Sequence, residues 1–422
     1  MVQKTMRSLL FVPGNSPSMV ANAAIYGSDA VVLDLEDSVP LESKDSARIL
    51  IRHALSCVDY GPARVGVRIN SIASGMASDD VREVAAGWPD FVMIPKVESC
   101  EQILAVDNML ASGESANSIP AGSTDIIAIL ETPRGILNAF DIARASNRIV
   151  GLAFGAEDFC TSMGIQRSGE GTELLVAKAT IVLCSRATNI AAFDTVFVDI
   201  DDDTGLLTET KRSRQLGFNG KCAIHPNQVP TINSVFTPDE AEIEYAKTIV
   251  EAYEKGLGEG LGAVAVGGMM VDEPVVRRAF KVLGSAGHHL TQDNFRSHAC
   301  SRSKRKVVLP RVGELEHGAE AGTDRKGDAR INITPIPAGQ GLEIEVTSKV
   351  AVLYGTAIRN TVRRVLEEMG VTDAHVTVTD QAALDFAIAA RTEAAVRRAT
   401  GAGHRGDTVG SPRATLSTSA SP

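Results

Sequence analysis

Eight short apolar runs recur between residues 8 and 226, and each ends in a polar cluster that is followed by a segment of helix length. The runs are rich in β-branched residues and lack alternation of apolar and polar side chains, which is typical of strands buried on both faces of a parallel sheet. The segments between them are long enough for helical crossovers. The runs are LLFVPG from Leu9, AVVLDLED from Ala30, VGVRIN from Val65, FVMIPKVE from Phe91, IIAILET from Ile126, IVGLAFGAED from Ile149, TVFVDI from Thr195 and KCAIHP from Lys221.

Eight β/α units in a little over 200 residues predict an α/β fold, the TIM (β/α)8 barrel. A doubly wound open sheet is the alternative, because one misjudged strand would remove the count of eight. Ser16 and Pro17 suit the start of the first helix. After the eighth run, residues 237–240 predict a capping box with proline at the first helical position. The apolar face of the helix that follows consists of Ile243, Ala246, Ile249, Val250 and Tyr253.

Changes in composition divide the chain into four parts. We predict a barrel domain with a C-terminal helical extension over residues 1–283, a linker over 284–320, a small α+β domain over 321–400 and a disordered tail over 401–422. The glycine-rich stretch from Gly256 fails the GxGxxG test for dinucleotide binding and predicts a flexible connector. The segments INITPI, LEIEVTSK and HVTVTD predict strands of the second domain, and two helices lie between and after them.

The charge balance and the lack of long apolar runs exclude several classes of partner. The formal net charge of −10 argues against nucleic acid as the main partner, although residues 302–306 form a short basic run within the linker. No apolar run reaches about 18 residues, so we expect no membrane span. The N-terminal apolar stretch is too short for a secretory signal, which makes a cytoplasmic location the default. The six cysteines form no CxxC pair and predict neither a zinc site nor a disulfide framework.

Charged side chains follow directly after the predicted strands, at the end of a TIM barrel where catalytic groups lie. Helix surfaces do not explain charges that emerge from buried strands, so these groups need partners or a metal ion. The residues concerned are Asp34, Glu36 and Asp37 after the second strand, Arg68 and Asn70 after the third, Lys96 and Glu98 after the fourth, Glu131 and Arg134 after the fifth, Glu157 and Asp158 after the sixth, and His225 after the eighth.

Acidic residues outnumber basic ones at this end of the barrel, and no cluster of Cys and His accompanies them. Ligation by oxygen alone selects a hard cation, Mg²⁺ or alternatively Mn²⁺. Glu131 and Asp158 are the best candidate ligands because each ends a strand and the two strands are neighbours. The alternative is that these carboxylates only form ion pairs with Arg68, Lys96 and Arg134.

A divalent cation beside arginine and lysine suits a substrate that gains negative charge on oxygen, as in retro-aldol or retro-Claisen cleavage. Arg68 would then stabilise the charge of an enolate fragment. A Schiff-base aldolase would instead need a desolvated neutral lysine. Lys96 is the candidate, but its carboxylate-rich surroundings would keep it protonated.

The motifs RSLLFVPGN, VVLDLEDSV, VRIN, IPKVE, ETPRG, FGAEDF, EGTEL and KCAIHPNQ occur in this order between residues 7 and 228, within a match that runs through residues 7–283. Together they resemble the citrate lyase beta subunit family, which includes the malyl-CoA and citramalyl-CoA lyases. The resemblance implies a TIM barrel that uses Mg²⁺, in agreement with the interpretation from the residues alone. It implies an acyl thioester as substrate, carried either by CoA or by a phosphoribosyl-dephospho-CoA carrier.

The resemblance also implies roles for individual residues. Glu131 and Asp158 match the metal ligands, and Arg68 matches the arginine that contacts substrate and enolate oxygen. Asp272 matches an aspartate that acts as proton donor or base in the barrel of a neighbouring subunit, although taken alone it is only a helix N-terminal residue. The supporting catalytic groups are Asp37, Lys96 and Glu98. The weaker candidates for contact with the thioester carrier are Arg7 and Arg167.

Residues 321–400 resemble the acyl carrier, or gamma subunit, of citrate lyase through AGTDRKGD, DARINITPI and ALDFAIAARTEAAVRRAT. That carrier bears its prosthetic group on a serine within AGTxxSxD. In this chain Lys326 stands at the position of the serine, and lysine cannot form the phosphodiester. Thr323 is the nearest hydroxyl but is out of register. The second domain is therefore interpreted as a degenerate carrier kept for assembly.

The leading prediction for function is cleavage of a citryl thioester to oxaloacetate and an acetyl thioester. The alternatives are a malyl-CoA or citramalyl-CoA type lyase, a related thioesterase, and a non-catalytic assembly subunit of a citrate lyase complex. Because the metal, arginine and Asp272 positions are all filled, the non-catalytic alternative is disfavoured. The resemblance further implies a homo-oligomer, a trimer or hexamer, with a citrate lyase alpha subunit and a separate acyl carrier as partners.

Overall fold

The computed structural model of the chain describes residues 6–258, 261–285 and 307–401. Eight parallel strands close in sequence order into a barrel, which confirms the TIM-barrel prediction over the open sheet. Their bounds are β1 Ser8–Pro13, β2 Ala30–Asp34, β3 Arg64–Arg68, β4 Phe91–Ile94, β5 Asp125–Leu130, β6 Ile149–Phe154, β7 Ala191–Asp194 and β8 Gly220–Ala223.

Helices connect the strands and cover the outside of the barrel. Pro17 is at the first position of the first helix, as predicted. The α-helices of the barrel are α1 Pro17–Asn22, α2 Lys44–Cys57, α3 Ala77–Ala85, α4 Cys100–Ala116, α5 Pro133–Leu137, α6 Ala139–Ile142, α7 Ala156–Met163, α8 Leu175–Ala187, α9 Asp203–Leu216 and α10 Gln228–Phe236. Short 3₁₀ helices span Ala23–Tyr26, Leu41–Ser43, Ile72–Ser74 and Thr172–Leu174.

The seventh strand is the one element of the barrel that the sequence placed wrongly. We predicted it at the run TVFVDI from Thr195, but β7 is Ala191–Asp194, and Val198 and Ile200 of the predicted run are exposed. The true strand is short, and two of its four residues are alanines whose β propensity is low. Burial between β6 and β8 outweighs that propensity, because β7 pairs with both strands.

Two apolar layers hold the barrel together. The interior layer includes Leu9, Val32, Phe91, Met93 and Phe193, all with exposed fractions of 0%. The outer layer lies between the strands and the helices and continues into the second module. This burial on both faces explains why the strands lack alternation in the sequence.

A helical extension follows the barrel, as predicted, and consists of α11 Glu240–Gly258, the antiparallel pair β9 Val264–Val266 and β10 Met269–Val271, and α12 Glu273–Ser285. The capping pair of α11 is Asp239 with Glu242, whose backbone amides donate to each other's carboxylates at 3.0 and 2.7 Å. The predicted capping residue Thr237 is wrong, because its hydroxyl donates to Asn233 O instead. Part of the glycine-rich stretch interpreted as a connector forms β9, and the stretch ends just before β10.

The apolar face predicted for α11 packs against β10 and α12 in a cluster separate from the barrel core. Ala246, Ile249 and Val250 are buried in this cluster, and Ile243 and Tyr253 lie at its edge. The extension therefore has a small core of its own.

The second module is a four-stranded sheet with two helices on one face. The strand order is β11-β12-β14-β13, from β11 Ala319–Ala321, β12 Ala329–Pro335, β13 Leu342–Ser348 and β14 Ala374–Asp380. The helices are α13 Ala351–Met369 and α14 Asp385–Ala399. Gly370 ends α13 in the left-handed conformation. β11 begins inside the segment predicted as linker.

The second module packs against the barrel through α14, which lies between its own sheet and α2. Residues 386–396 of α14 are all buried, and residues 46–55 of α2 are all buried. Glu393 of α14 pairs with Arg52, and its Oε2 lies 2.8 Å from His53 Nε2, with all three side chains buried. A helix of an isolated barrel would expose one side to water, so α14 completes the burial of α2.

Several predictions concern other features of the chain. Within the described residues, no helix has the length and hydropathy needed to cross a membrane. The five described cysteines are all free thiols, and the sixth, Cys300, lies outside the described ranges. The basic run at 302–306 and nearly all of the tail predicted from residue 401 also lie outside them.

Candidate active site

A cavity of about 430 Å³ opens at the C-terminal end of the barrel strands. It is lined by charged side chains from the ends of β2, β3, β5 and β6 and by an apolar floor. The charged members are Asp34, Asp37, Arg68, Glu131, Glu157 and Asp158, and the floor includes Phe11, Met93, Ile129 and Cys222. The sequence therefore placed its candidate metal ligands and Arg68 at the correct end of the barrel.

Glu131 follows β5 and is only 4% exposed. Its Oε1 accepts a hydrogen bond of 2.8 Å from the backbone N–H of Lys96. Lys96 adopts φ of 54°, a conformation that residues other than glycine rarely take. Gly155 packs against the other oxygen, since a Cβ at that position would lie 2.2 Å from Glu131 Oε2. Glycine at 155 thus leaves the space that the carboxylate occupies.

The pair Glu131 and Asp158 fits a hard divalent cation. Burial, followed by the neighbouring carboxylates of Glu36 and Asp158, raises the pKa of Glu131 to about 8. A bound cation would relieve this excess of negative charge. Within the part of the chain that the structure describes, no group of three or more His, Cys, Asp or Glu side chains is arranged to hold a metal ion. Two carboxylates suit Mg²⁺, which fills its remaining positions with water and substrate oxygens.

Arg68 is fixed in the cavity from several sides. Its Nε and Nη2 donate to the two oxygens of Asp34 at 2.6 and 2.7 Å, and its Nη1 lies 2.9 Å from Glu36. The guanidinium also lies over the ring of Phe11 at 5.1 Å and donates to Asp37 at 3.2 Å. Burial alone would lower the pKa of Arg68, but the bonds to Asp34 raise it, so the residue stays charged.

Glu36 connects the two cationic side chains of the site. One of its oxygens pairs with Arg68, and the other accepts from Lys96 Nζ at 2.9 Å. Lys96 Nζ also lies 3.6 Å from Asp158. Burial alone would lower the pKa of Lys96, but the bond to Glu36 and the nearby carboxylates raise it. The sequence named Asp34 and Glu36 only as charges after a buried strand, and that position was the available signal for their role.

A buried ion cluster on the β7 and β8 side was missed entirely. Lys221 and Asp194 are fully buried and 3.2 Å apart, and Lys221 also pairs with Glu209 at 2.5 Å. Glu209 in turn holds Arg167 at 2.9 Å, and Arg167 donates to Glu157 at 2.7 Å. Arg167 is thus fixed by two carboxylates beside the cavity. The error in predicting the seventh strand concealed this cluster, because Asp194 is the last residue of the observed β7.

Three other candidates lie away from the cavity. Arg7 precedes β1 at the opposite end of the barrel, where it pairs with Asp29 at 2.7 Å, so its predicted contact with the thioester carrier is not supported by this chain's cavity. Glu98 lies 3.9 Å from Arg134 and does not line the cavity. Asp272 starts α12, where its Oδ1 accepts from Val275 N at 3.3 Å.

Comparisons with known proteins agree with this architecture. Residues 7–226 match the family model of HpcH/HpaI aldolase/citrate lyase, and residues 316–399 match that of the malonate decarboxylase delta subunit. The citrate lyase subunit beta of Escherichia coli K12 is 41% identical over 283 residues, which cover 67% of this chain and 94% of that protein. Human mitochondrial citramalyl-CoA lyase is 32% identical and covers 65% of this chain, with 83% of its own length matched.

Among solved structures, the CitE protein of Mycobacterium tuberculosis in complex with magnesium, acetoacetate and coenzyme A is 33% identical, with a TM-score of 0.56. The match covers 67% of this chain and 98% of that protein, so the region it leaves unmatched is one third of this chain. The family model spans the eight strands and all the residues of the cavity. The chain belongs to the HpcH/HpaI aldolase/citrate lyase family.

Proposed function

We propose that the barrel is a Mg²⁺-dependent carbon–carbon lyase that cleaves a citryl thioester to oxaloacetate and an acetyl thioester. One observation carries the proposal. The carboxylates of Glu131 and Asp158 line the same cavity as Arg68, a charged arginine that its neighbours hold in place. Citrate lyase beta subunits that match almost their whole length against this chain support the citryl group as substrate.

In this reaction a carboxylate of the site accepts the proton of the citryl hydroxyl, and the bond between the hydroxyl-bearing carbon and the α-carbon of the thioester breaks. The first fragment becomes the ketone of oxaloacetate. The second leaves with the electron pair as the enolate of an acetyl thioester, which takes up a proton at carbon. Glu131 and Asp158 would hold Mg²⁺, which when bound supplies Lewis-acid polarisation of the substrate's oxygens.

Arg68 suits stabilisation of the enolate oxygen. Asp34 holds its Nε and Nη2, and Phe11 packs on its face, so little reorganisation is needed when charge develops. Lys96 does not suit a Schiff base, because Glu36 and Asp158 favour its protonated form. We therefore assign Lys96 the role of orienting Glu131 through its backbone amide and Asp158 through its charge.

We assign the proton donor to a residue outside the cavity lining of this chain. Asp272 starts α12 in the extension, and we propose that it completes the cavity of a neighbouring copy in a trimer or hexamer. The proposal rests on the sequence resemblance and on the separate core of the extension, which leaves Asp272 outside its own cavity. A citrate lyase alpha subunit and a separate acyl carrier are the partners proposed with it.

A malyl-CoA or citramalyl-CoA type substrate is the second candidate. It is favoured by relatives named citramalyl-CoA lyase at 32% identity and L-malyl-CoA/beta-methylmalyl-CoA lyase at 35% identity. These reactions would use the same carboxylate pair and arginine, so the cavity alone does not separate them from citryl cleavage.

The test is release of oxaloacetate from citryl-CoA by the purified chain, with Mg²⁺ and with EDTA. We expect release with Mg²⁺ only. Citramalyl-CoA and malyl-CoA are assayed in parallel, and the highest kcat/KM identifies the acyl group. No cleavage of any of the three by folded, Mg²⁺-bound protein would contradict the proposal.

The role of Asp272 is tested by mixing two inactive variants. Asp272→Asn and Glu131→Gln each keep one half of the composite site, so co-refolded mixtures should regain a fraction of wild-type activity if the aspartate acts across an interface. Mixtures that stay inactive would contradict action in trans. Two preparations of Asp272→Asn mixed with each other are the control.

A further inference from the structure

The loop at residues 323–328 of the second module is pinned to the barrel. Within the loop, Thr323 Oγ1 donates to Asp328 at 2.8 Å. Asp328 is buried and accepts two bonds of 3.0 Å from Arg391 of α14. The same arginine donates from Nη2 to the backbone carbonyl of Asn15 at 2.9 Å, in the segment between β1 and α1. One side chain thus ties the loop to the barrel.

Close packing places this loop at the mouth of the barrel. Gly327 adopts φ of 79° and lies against α1, where a Cβ on it would come within 2.9 Å of Ser18 Cβ. Asn15 and Ser18 follow the C-terminal end of β1, the end at which Glu131 and Arg68 lie. The loop therefore lies at the same end of the barrel as the cavity, next to the segment that follows Pro13 of the cavity lining.

The module has no freedom to carry the loop away. Behind the loop, Glu393 is buried between Arg52 and His53 of the barrel, and Arg397 pairs with Glu83 at 2.9 Å. Separating the module from the barrel would leave these charged side chains unpaired on surfaces that are buried in the folded chain, which is strongly unfavourable. A carrier domain that moves between enzymes needs a contact that breaks easily, and an interface with buried ion pairs does not suit that movement.

Two cationic side chains of the loop are exposed and have no carboxylate partner among the described residues. Arg325 and Lys326 form no ion pair within the described residues, and the nearby Asp324 is neutralised by Arg330 at 2.7 Å. The cations in and beside the cavity are engaged, since Arg68 of its lining and the neighbouring Lys96 and Arg167 each pair with carboxylates. Among the described residues, Arg325 and Lys326 thus place unpaired positive charge of the second module near the end of β1.

We propose that Arg325 and Lys326 bind the phosphate groups of a diffusible, CoA-type thioester whose acyl group enters the barrel. The inference rests on the proposed function and specifies its substrate as a thioester that is not attached to the chain. The pantetheine arm separates the phosphates of CoA from the sulfur, so phosphates must lie outside the cavity while the acyl group is inside it. Basic side chains on a fixed loop at this end of the barrel meet that requirement.

The test compares thioesters with and without phosphates. Losing charge-assisted phosphate contacts in Arg325→Ala/Lys326→Ala should raise KM for citryl-CoA about tenfold. The variant should leave kcat, and KM for the phosphate-free citryl-pantetheine, unchanged. Equal effects on both thioesters, or no effect on either, would overturn the proposal.

Two further variants sharpen the result. Arg363→Ala removes an exposed cation of the same module on α13 and should change neither KM. Arg134→Ala removes the exposed cation after β5, on the opposite side of the barrel from β1. A rise in KM for citryl-CoA with Arg134→Ala and not with the loop variant would place the phosphates on the other side and overturn the proposal.

Direct binding separates failure of this proposal from failure of the proposed function. Calorimetric titration of the full chain with CoA and with pantetheine needs no turnover. We expect a tighter Kd for CoA, weakened about tenfold in the loop variant, even if the cleaved acyl group is not citryl. An unchanged Kd for CoA in the loop variant would exclude the phosphate site whatever the substrate is.

Discussion

Two buried clusters of charge in this chain differ in how far their charges are matched. At the mouth of the barrel, carboxylates exceed cations, and burial together with Glu36 and Asp158 raises the pKa of Glu131 to about 8. At the contact between α2 and α14, each carboxylate has cationic neighbours. Burial would raise the pKa of Glu393, but the bond to His53 and the charges of Arg52 and Arg397 lower it.

The difference separates a site from a structural contact. An unmatched buried carboxylate is costly in the free protein and becomes favourable only when a cation or ligand arrives. A matched cluster is complete without a ligand, and removing one member exposes the others to an unfavourable environment. Glu131 should therefore matter for activity and little for folding, and Glu393 should show the reverse.

The largest expected effect is that of Glu131→Gln on turnover. The substitution keeps the shape of the side chain but removes a metal ligand, so we expect kcat for citryl-CoA to fall about a thousandfold or more. Thermal unfolding without metal should be unchanged or shifted upward, because the raised pKa of Glu131 makes the folded chain less stable at neutral pH and glutamine removes that cost. Steady-state kinetics and calorimetry on the same preparation measure both.

Glu251→Gln, on the exposed side of α11, is the matched control and should alter neither quantity. A Glu131→Gln variant that unfolds far below the wild type would contradict the view that this carboxylate is electrostatically unmatched. Retention of normal turnover would remove it from the active site.

Glu393→Gln should show the opposite pattern. It leaves Arg52 and Arg397 without their shared buried carboxylate, which should destabilise the docked module by about 3 kcal/mol. The kcat for citryl-pantetheine should be unaffected because the cavity is formed by the barrel. Chemical denaturation followed by limited proteolysis of α14 measures the loss.

Glu345→Gln, an exposed glutamate of β13 in the same module, should leave stability within about 0.5 kcal/mol of the wild type. A smaller loss for Glu393→Gln than for this control would show that the contact between the modules is not held by its charges.

Mg²⁺ should stabilise the barrel through the carboxylate pair. At ten times its Kd, a ligand that binds only the folded state adds about 1.4 kcal/mol to the free energy of unfolding. We expect this gain in thermal scans of the wild type and its absence in Glu131→Gln. An equal gain in the variant would place the ion elsewhere.

The smallest expected effect concerns pH. Burial lowers the pKa of His53, so the folded chain keeps this side chain neutral where the unfolded chain would protonate it. Stability of the module contact should therefore fall as the pH drops below about 6.5, the ordinary pKa of histidine. Glu393, whose pKa is also lowered, adds a further loss only below about 4.5.

His53→Gln should remove the part of the decline between pH 7 and 5.5 and keep the part at lower pH. Thermal unfolding across this range in wild type and variant provides the comparison. A decline of the same size in both would assign it to other groups.

The sequence predicted the barrel and most of its mouth because both follow from local patterns. Buried parallel strands give continuous apolar runs, and a charge that follows such a run must be at a strand end. Glu131, Asp158 and Arg68 all have this signature and all line the cavity. The prediction of the seventh strand failed because Ala191 and Ala192 give no β signal, and pairing with Gly151 and Leu152 of β6 makes them part of a strand.

The contact between the modules was not predictable in the same way. α14 has the composition of an ordinary alanine-rich amphipathic helix, and nothing local indicates that Arg391 and Glu393 are buried. Their partners Asn15 and Arg52 lie more than 300 residues earlier in the chain. These charged side chains find their partners only in the assembled fold. The same fold sets the position of the loop that contains Lys326.

Covalent fusion also fixes the stoichiometry of this arrangement. Since α14 and α2 belong to one polypeptide, every barrel has one copy of the loop at residues 323–328. The contact between α14 and α2 is intramolecular, so dilution cannot reduce its effective concentration. A carrier supplied as a separate chain would be diluted and exchanged among many barrels. Here the loop at residues 323–328 is instead tied to its own barrel through Arg391, so every copy of the chain presents it at the same place.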